Sequence, residues 1–198
     1  MEIYLVRHGQ TLFNQQKKVQ GWCDSPLTQE GIQQAIAVSK TLQSISFECA
    51  YSSTSERAID TANSILEGRN VKVIPSKNLK EQSFGDFEAE KSVDIFKDGV
   101  RFPDGYRFCG GENHSDVIER VKNELKKIAS EYPNANVLVV CHGSAIKHIV
   151  NALCPGFVDE KPNTAALVPN CSVTRMDCDT ELKLIEKPHL FHGQQTLK

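Results

Sequence analysis

The chain has 198 residues, 39% of them hydrophobic and 24% charged, a composition that can bury one full core and excludes an intrinsically disordered chain. A formal net charge of −2 supplies no basic excess for nucleic acid or an anionic membrane, so any phosphate site must be local. No apolar run approaches the roughly 20 residues that cross a bilayer, and no basic-then-apolar leader opens the sequence.

In chain order, residues 3–7 read as a short buried strand that stops at Arg7-His8-Gly9. Residues 28–43 read as a helix whose inner face carries Ile32, Ala35, Ile36, Ser39 and Leu42, with Pro26 and Thr28 marking its start. A second strand runs from Phe47 to Tyr51. Ser53-Thr54-Ser55-Glu56 then has capping-box spacing, and a helix with Ala58, Ala62 and Ile65 inward runs to Gly68. Val71–Ile74 reads as a third strand. Residues 75–113 are rich in Gly, Asp, Phe and charge and are expected to form an irregular excursion; Phe84, Phe87, Phe102 and Phe108 read as its packing. A helix starts at Asn113–Asp116, carries Val117, Val121, Leu125 and Ile128 inward, and ends at Pro133. Strand 137–141, helix 144–153, and two strands at 172–176 and 182–185 around an Asp177–Thr180 hairpin complete the chain.

Alternating strands and helices imply a three-layer α/β/α domain over residues 1–198, with a mostly parallel central sheet and an antiparallel edge strand. Ligands of such sheets sit beyond the C-terminal ends of the strands. Seven cysteines without a CxxC pair suggest neither a zinc site nor a disulfide framework. They are expected as reduced thiols in a cytoplasmic protein, with Cys49, Cys141 and Cys154 filling core space.

Two strands end in a histidine followed by glycine: His8-Gly9 and His142-Gly143. Glycine removes the side chain that would block an approaching ligand, and Gly143-Ser144 opens a helix whose N–H groups favour an anion. Arg7 precedes His8, and Arg57 falls in the first turn of another helix; a guanidinium can fork onto phosphate oxygens. Two arginines, two histidines and two helix starts on one rim make a phosphate pocket. His148 reads as structural, His114 as a helix start, and His189 with His192 as part of a tail without a metal pattern.

These residues carry a resemblance. Leu5-Val6-Arg7-His8-Gly9-Gln10-Thr11 is similar to the signature of the histidine phosphatase superfamily, the phosphoglycerate-mutase-like group. The likeness continues at Asn14, at Gln20-Gly21-Trp22, and at Ser25–Gly31. It returns at Ser52–Ala58, Leu79-Lys80-Glu81, Gly110-Gly111-Glu112 and Val140–Gly143. The resemblance implies that His8 takes the phosphoryl group as nucleophile and that Arg7, Arg57 and His142 hold the equatorial oxygens, His142 best as the imidazolium. It further implies that Asn14, Gln20, Gly21 and the Gly143 N–H line the substrate site, and that Glu81 serves as acid and then base. No metal or other cofactor is called for.

Three readings share this pocket: a phosphatase of small phosphomonoesters such as a phosphorylated amino acid, sugar or glycerate; a 2,3-bisphosphoglycerate-dependent mutase; and a non-catalytic phosphate-binding module. Mutases of the family resemble longer chains with adjacent paired arginines, whereas Arg101 and Arg107 here are separated. Lys17, Lys18, Arg101 and Arg107 are the cations that could meet a second anionic group. Phe87-Glu88-Ala89 stands where small phosphatases of the family often show Trp-Glu-Gly. The partner expected is a small phosphorylated substrate, with neither nucleic acid nor membrane, and self-association as a homodimer through an edge strand or exposed helix.

Overall fold

Unbroken apolar runs at both faces of a strand require cover on both sides, and the computed structural model, which describes residues 1–96, 102–160 and 163–190, provides it. The elements are β1 (Glu2–Arg7), α1 (Leu12–Gln15), α2 (Gln29–Thr41), β2 (Cys49–Ser53), α3 (Glu56–Ile65), β3 (Val73–Ser76), α4 (Ser92–Ile95), α5 (His114–Glu131), β4 (Asn136–Cys141), α6 (Gly143–Leu153), α7 (Thr164–Leu167), β5 (Val173–Cys178) and β6 (Leu182–His189). They build one six-stranded sheet in the order β3-β2-β4-β1-β5-β6. Strands β1 to β4 pair in parallel, and the β5–β6 hairpin joins β1 antiparallel.

Alternate residues of the central strands feed two cores. Ile3, Leu5, Val137 and Val139 pack with Val117, Val121, Leu125 and Ile128 of α5 and with Ile146 and Ile149 of α6. Tyr4, Val6, Leu138 and Val140 pack on the other face against Ala35 and Val38 of α2 and Ala58, Ala62 and Ile65 of α3. The chain after β1 therefore leaves toward one layer and the chain after β4 toward the other. The crevice that opens between their C-terminal ends is the switch point of the sheet.

Several expectations shift in detail. The buried stripe of α2 is Gly31, Ala35, Val38 and Thr41, continuing to Leu42, so Ile32, Ile36 and Ser39 lie on its flank. The crossing of α2 over the loop after β1 causes this: a Cβ on Gly31 would fall 2.1 Å from the Gln10 carbonyl oxygen, so the glycine face is drawn inward. Helix α3 ends at Ile65, short of Gly68, and its start lacks the capping box. Its first N–H, on Glu56, is capped instead by Asp24 Oδ2 at 2.6 Å. Strands β2, β3 and β5 each begin one or two residues later than expected, and β6 continues to His189. Of the core thiols, Cys49 and Cys141 are buried and Cys154 half-buried; all seven are free.

Among the described residues, the excursion carries α4 and 3-10 turns at Lys77–Leu79, Gly85–Phe87 and Arg107–Cys109. Phe87, Phe102, Tyr106 and Phe108 pack ring on ring within it. Its first half is stitched to the pocket loop by Glu88, which accepts from Trp22 N–H at 2.8 Å, Cys23 N–H and Phe84 N–H. The next residue, Ala89, has φ +69° and donates its N–H to Val19 O at 2.9 Å. A methyl group is strained in that left-handed conformation, by about 1–2 kcal/mol. Ala89→Gly is therefore expected to raise stability by about 1 kcal/mol in urea unfolding; a variant no more stable than the parent would show that no strain is held there.

Candidate active site

His8 leaves the C-terminal end of β1 with both of its backbone polar groups fastened. Its N–H donates to Cys141 O at 3.0 Å, and its carbonyl accepts from Asn170 Nδ2 at 3.0 Å and Cys171 N–H at 3.3 Å. Ring Nδ1 lies 2.8 Å from Gly9 O. A carbonyl only accepts, so Nδ1 carries the proton and Nε2 keeps its lone pair. Burial, and then the charges of Arg57 and Arg7, hold the imidazole well below its ordinary pKa. The ring is thus neutral at pH 7, which is the form a nucleophile needs.

Arg57, on the first turn of α3, is 0% exposed, and four of its five N–H groups are taken by protein. Nη1 donates to Cys23 O at 3.0 Å and Asp24 Oδ1 at 2.7 Å; Nη2 donates to Gly21 O at 2.9 Å and His142 Nδ1 at 3.0 Å. The fork expected to grip phosphate is spent inward, and Nε is the buried N–H without a partner. Arg7 is similar. Its Nη1 donates to Val168 O at 2.6 Å, and its Nε is buried and unpartnered. Burial lowers Arg7 to about 10, which leaves it charged at neutral pH.

His142 N-caps α6 and lies with its ring centroid 5.2 Å from that of His8. Because the Arg57 guanidinium can only donate, Nδ1 of His142 is the acceptor and Nε2 bears the hydrogen. That Nε2 is also buried without a partner. Burial first, and then Arg57 with the other titratable groups around it, push its pKa well below the usual imidazole value. Before a ligand arrives the ring is therefore a neutral N–H donor; the imidazolium expected from the resemblance would need the anionic oxygens of a substrate beside it.

The N-terminus of α6 does bind an anion, and the anion is Glu81. Its Oε2 accepts from Ser144 N–H at 2.8 Å; its Oε1 accepts from Ala145 N–H and Gln82 N–H, each at 2.9 Å. Gly143 is close to Arg7, since a Cβ there would fall 3.2 Å from Arg7 Nε. The site therefore gathers His8, Arg7, Arg57, His142, Gly143 and Glu81 at the β1–β4 crevice.

The remaining candidates fall elsewhere or serve other groups. Asn14 Oδ1 accepts from Thr11 N–H at 3.2 Å and Asn170 Nδ2 at 3.0 Å, so its amide NH2 is the end left over. Gln20 has both amide ends engaged, accepting from Thr11 Oγ1 and donating to Ser25 Oγ, and Gly21 serves through its carbonyl on Arg57. Arg107 is exposed and paired with Asp116 at 2.6 Å, away from the crevice. It lines a separate cavity of about 290 Å³ with Phe102 and Asp104. Arg101 and His192 lie outside the described residues. Asp24 and Asn170 are parts of the site that sequence reasoning missed. The only signal for Asn170 was the turn-forming pair Pro169-Asn170, and its contact with His8 spans 162 positions. Among the described residues, no group of three or more His, Cys, Asp or Glu side chains could hold a metal ion, and no helix is long and apolar enough to cross a membrane.

Fold and site together define an α/β protein with a basic, histidine-bearing pocket at the switch point of a mostly parallel sheet. The chain belongs to the histidine phosphatase superfamily (branch 1), whose family model matches residues 3–188. A relative from Cronobacter sakazakii, named a probable phosphoglycerate mutase GpmB, is 30% identical over 188 residues and covers 89% of this chain and 85% of its own length. The uncharacterized phosphatase PhoE of Bacillus subtilis is 31% identical over 169 residues, covering 85% of this chain and 84% of its own. Among solved structures, a phosphoglycerate mutase from Bacillus anthracis is similar with a TM-score of 0.83 and 32% identity, over 94% of this chain and 92% of that one.

Behind Glu81 the imidazoles continue. His148 Nε2 donates to Gln82 Oε1 at 3.1 Å, and its ring stacks on His114 at 4.3 Å between centroids. Burial, with Lys147 and His114 adding to it, lowers His148 to about 2. Below pH 6.5 the unfolded chain takes up a proton that this folded ring refuses, so its contribution to stability is present above pH 6.5 and is lost as the pH falls. His148→Gln removes that loss. Between pH 6 and pH 5 the variant is expected to gain on the parent by about 1.4 kcal/mol per pH unit in urea unfolding, the value of one proton. Parallel stability profiles would show the imidazole to be protonated in both states.

Proposed function

We propose that this protein is a phosphatase of small phosphomonoesters that works through a phosphohistidine. The observation that carries the reading is that Arg7 Nε, Arg57 Nε and His142 Nε2 are buried without a partner on the residues gathered around His8, whose own Nε2 keeps a free lone pair. Three donors match the three equatorial oxygens of a phosphoryl group in flight. Their burial makes them costly to leave unmet without such an acceptor.

In the first half-reaction a proton carried in by the phosphomonoester monoanion passes to the Glu81 carboxylate, His8 Nε2 attacks phosphorus, the P–O bond to the alcohol breaks, and Glu81 hands that proton to the departing oxygen. In the second, Glu81 takes a proton from water, the water oxygen attacks phosphorus, and the N–P bond breaks to release phosphate and neutral His8. Glu81 Oε1 already accepts two N–H bonds and Oε2 one, so Oε2 is the oxygen with a lone pair free to carry the proton.

The names of the relatives include both mutase and phosphatase. Hydrolysis is favoured here by Arg107, which is turned to Asp116 and offers the crevice no second anion site. His8→Ala is expected to lower phosphate release from phosphomonoesters by on the order of a thousandfold or more. Parent enzyme quenched during turnover of a ³²P-labelled ester should carry an acid-labile, alkali-stable label on His8, with or without chelator. Interconversion of 3-phosphoglycerate outpacing its hydrolysis in the presence of 2,3-bisphosphoglycerate would favour the mutase instead.

A further inference from the structure

Trp22 is the single tryptophan of the chain, and it is 49% exposed. Isolated surface aromatics are ordinary, but this one is tied down on every side. Its neighbours Gly21 and Cys23 hold the two terminal nitrogens of Arg57 through their carbonyls. Its backbone N–H is bonded to Glu88 Oε1 at 2.8 Å, and its indole Nε1–H donates to the carbonyl oxygen of Glu81 at 3.0 Å. Lys80 Nζ lies 4.4 Å from the ring centroid. Trp22 thus stands in the chain between the two carbonyls that hold the arginine assigned to the phosphoryl oxygens, while its indole is bonded to the backbone of the residue assigned to the departing oxygen.

That position has a chemical meaning. In an in-line displacement the alcohol leaves from the side of phosphorus opposite His8, toward the group that protonates it. Whatever the alcohol carries must then pass along the span from Arg57 to Glu81, where the ring is fixed. An aromatic with few rotors, already ordered by hydrogen bonds, adds contact area to a ligand without a large ordering cost.

Resting on the phosphatase reading above, we infer that Trp22 forms the leaving-group wall of the site and selects phosphomonoesters whose alcohol presents a planar, apolar face. Trp22 is a specificity-determining residue that touches the substrate beyond the ester oxygen. Small hydrophilic esters are cleaved without this contact and are the poorer substrates.

The test compares phenyl phosphate with glycerol phosphate on the parent, Trp22→Ala and Trp22→Phe. Trp22→Ala should lower kcat/KM for phenyl phosphate on the order of tenfold more than it lowers kcat/KM for glycerol phosphate. Trp22→Phe, which keeps a ring but loses the N–H to Glu81, should restore most of the difference. Equal losses on both esters in both variants would mean that the indole only anchors Glu81, and would overturn the inference. Binding gives a readout independent of turnover: in His8→Ala, phenyl phosphate should quench the Trp22 fluorescence at a concentration on the order of tenfold below glycerol phosphate. Equal concentrations would also overturn it. A parent inert toward both esters, with that binding preference intact, would instead sink the phosphatase reading alone.

Discussion

A guanidinium removed from water is costly unless its donors are met, and Arg57 is the point where the loops around the crevice are tied together to meet them. Gly21, Cys23 and Asp24 come from the loop before α2, and His142 comes from the far side of the sheet. Each is held where it is because Arg57 needs it there. The same bond that satisfies Nη2 chooses the tautomer of His142, and so decides that this ring offers N–H rather than a lone pair to the pocket. Nε is left over. The residue that organises the site thereby also contributes to it one donor of fixed direction.

Charge at the crevice is balanced by the protein's own carboxylates. Asp24 is shared between the Arg57 side chain and the first N–H of α3, and Glu81 occupies the N-terminus of α6. A helix start of this kind is a ready anion site, and here it has been given to a side chain. The consequence is positional: the carboxylate that would exchange protons with substrate is held by three backbone N–H bonds. It is placed by the same helix that begins with His142 and Gly143. A pocket assembled in this way, with few free rotors, is largely formed before any ligand arrives.

Much of this could be read from the residues. The unbroken apolar runs of β1 and β4 and the stripe of α5 fix their places in the sheet through periodicity alone, and the two His-Gly endings point to the rim. The buried face of helix α2 is turned by about one position from its hydropathy stripe, because the close crossing of Gly31 over Gln10 is a contact between backbones and leaves no trace in hydropathy. The cap of α3 departs from the local pattern for a related reason: Asp24 reaches it from 32 positions away, while Ser53–Glu56 offers only the spacing of a box. Asn170 and the spent fork of Arg57 are of the same kind. Pairings across the fold decide which atoms remain free, and the residue types at a site do not reveal that count.

The two outermost strands of the sheet, β3 and β6, contain Pro75 and Pro188. A ring nitrogen has no hydrogen to offer a newcomer laid alongside. Each proline therefore weakens its edge as a template for a further strand. The edges of the sheet are thus marked by the absence of a hydrogen at one position each, a small omission that acts on whatever approaches from the side.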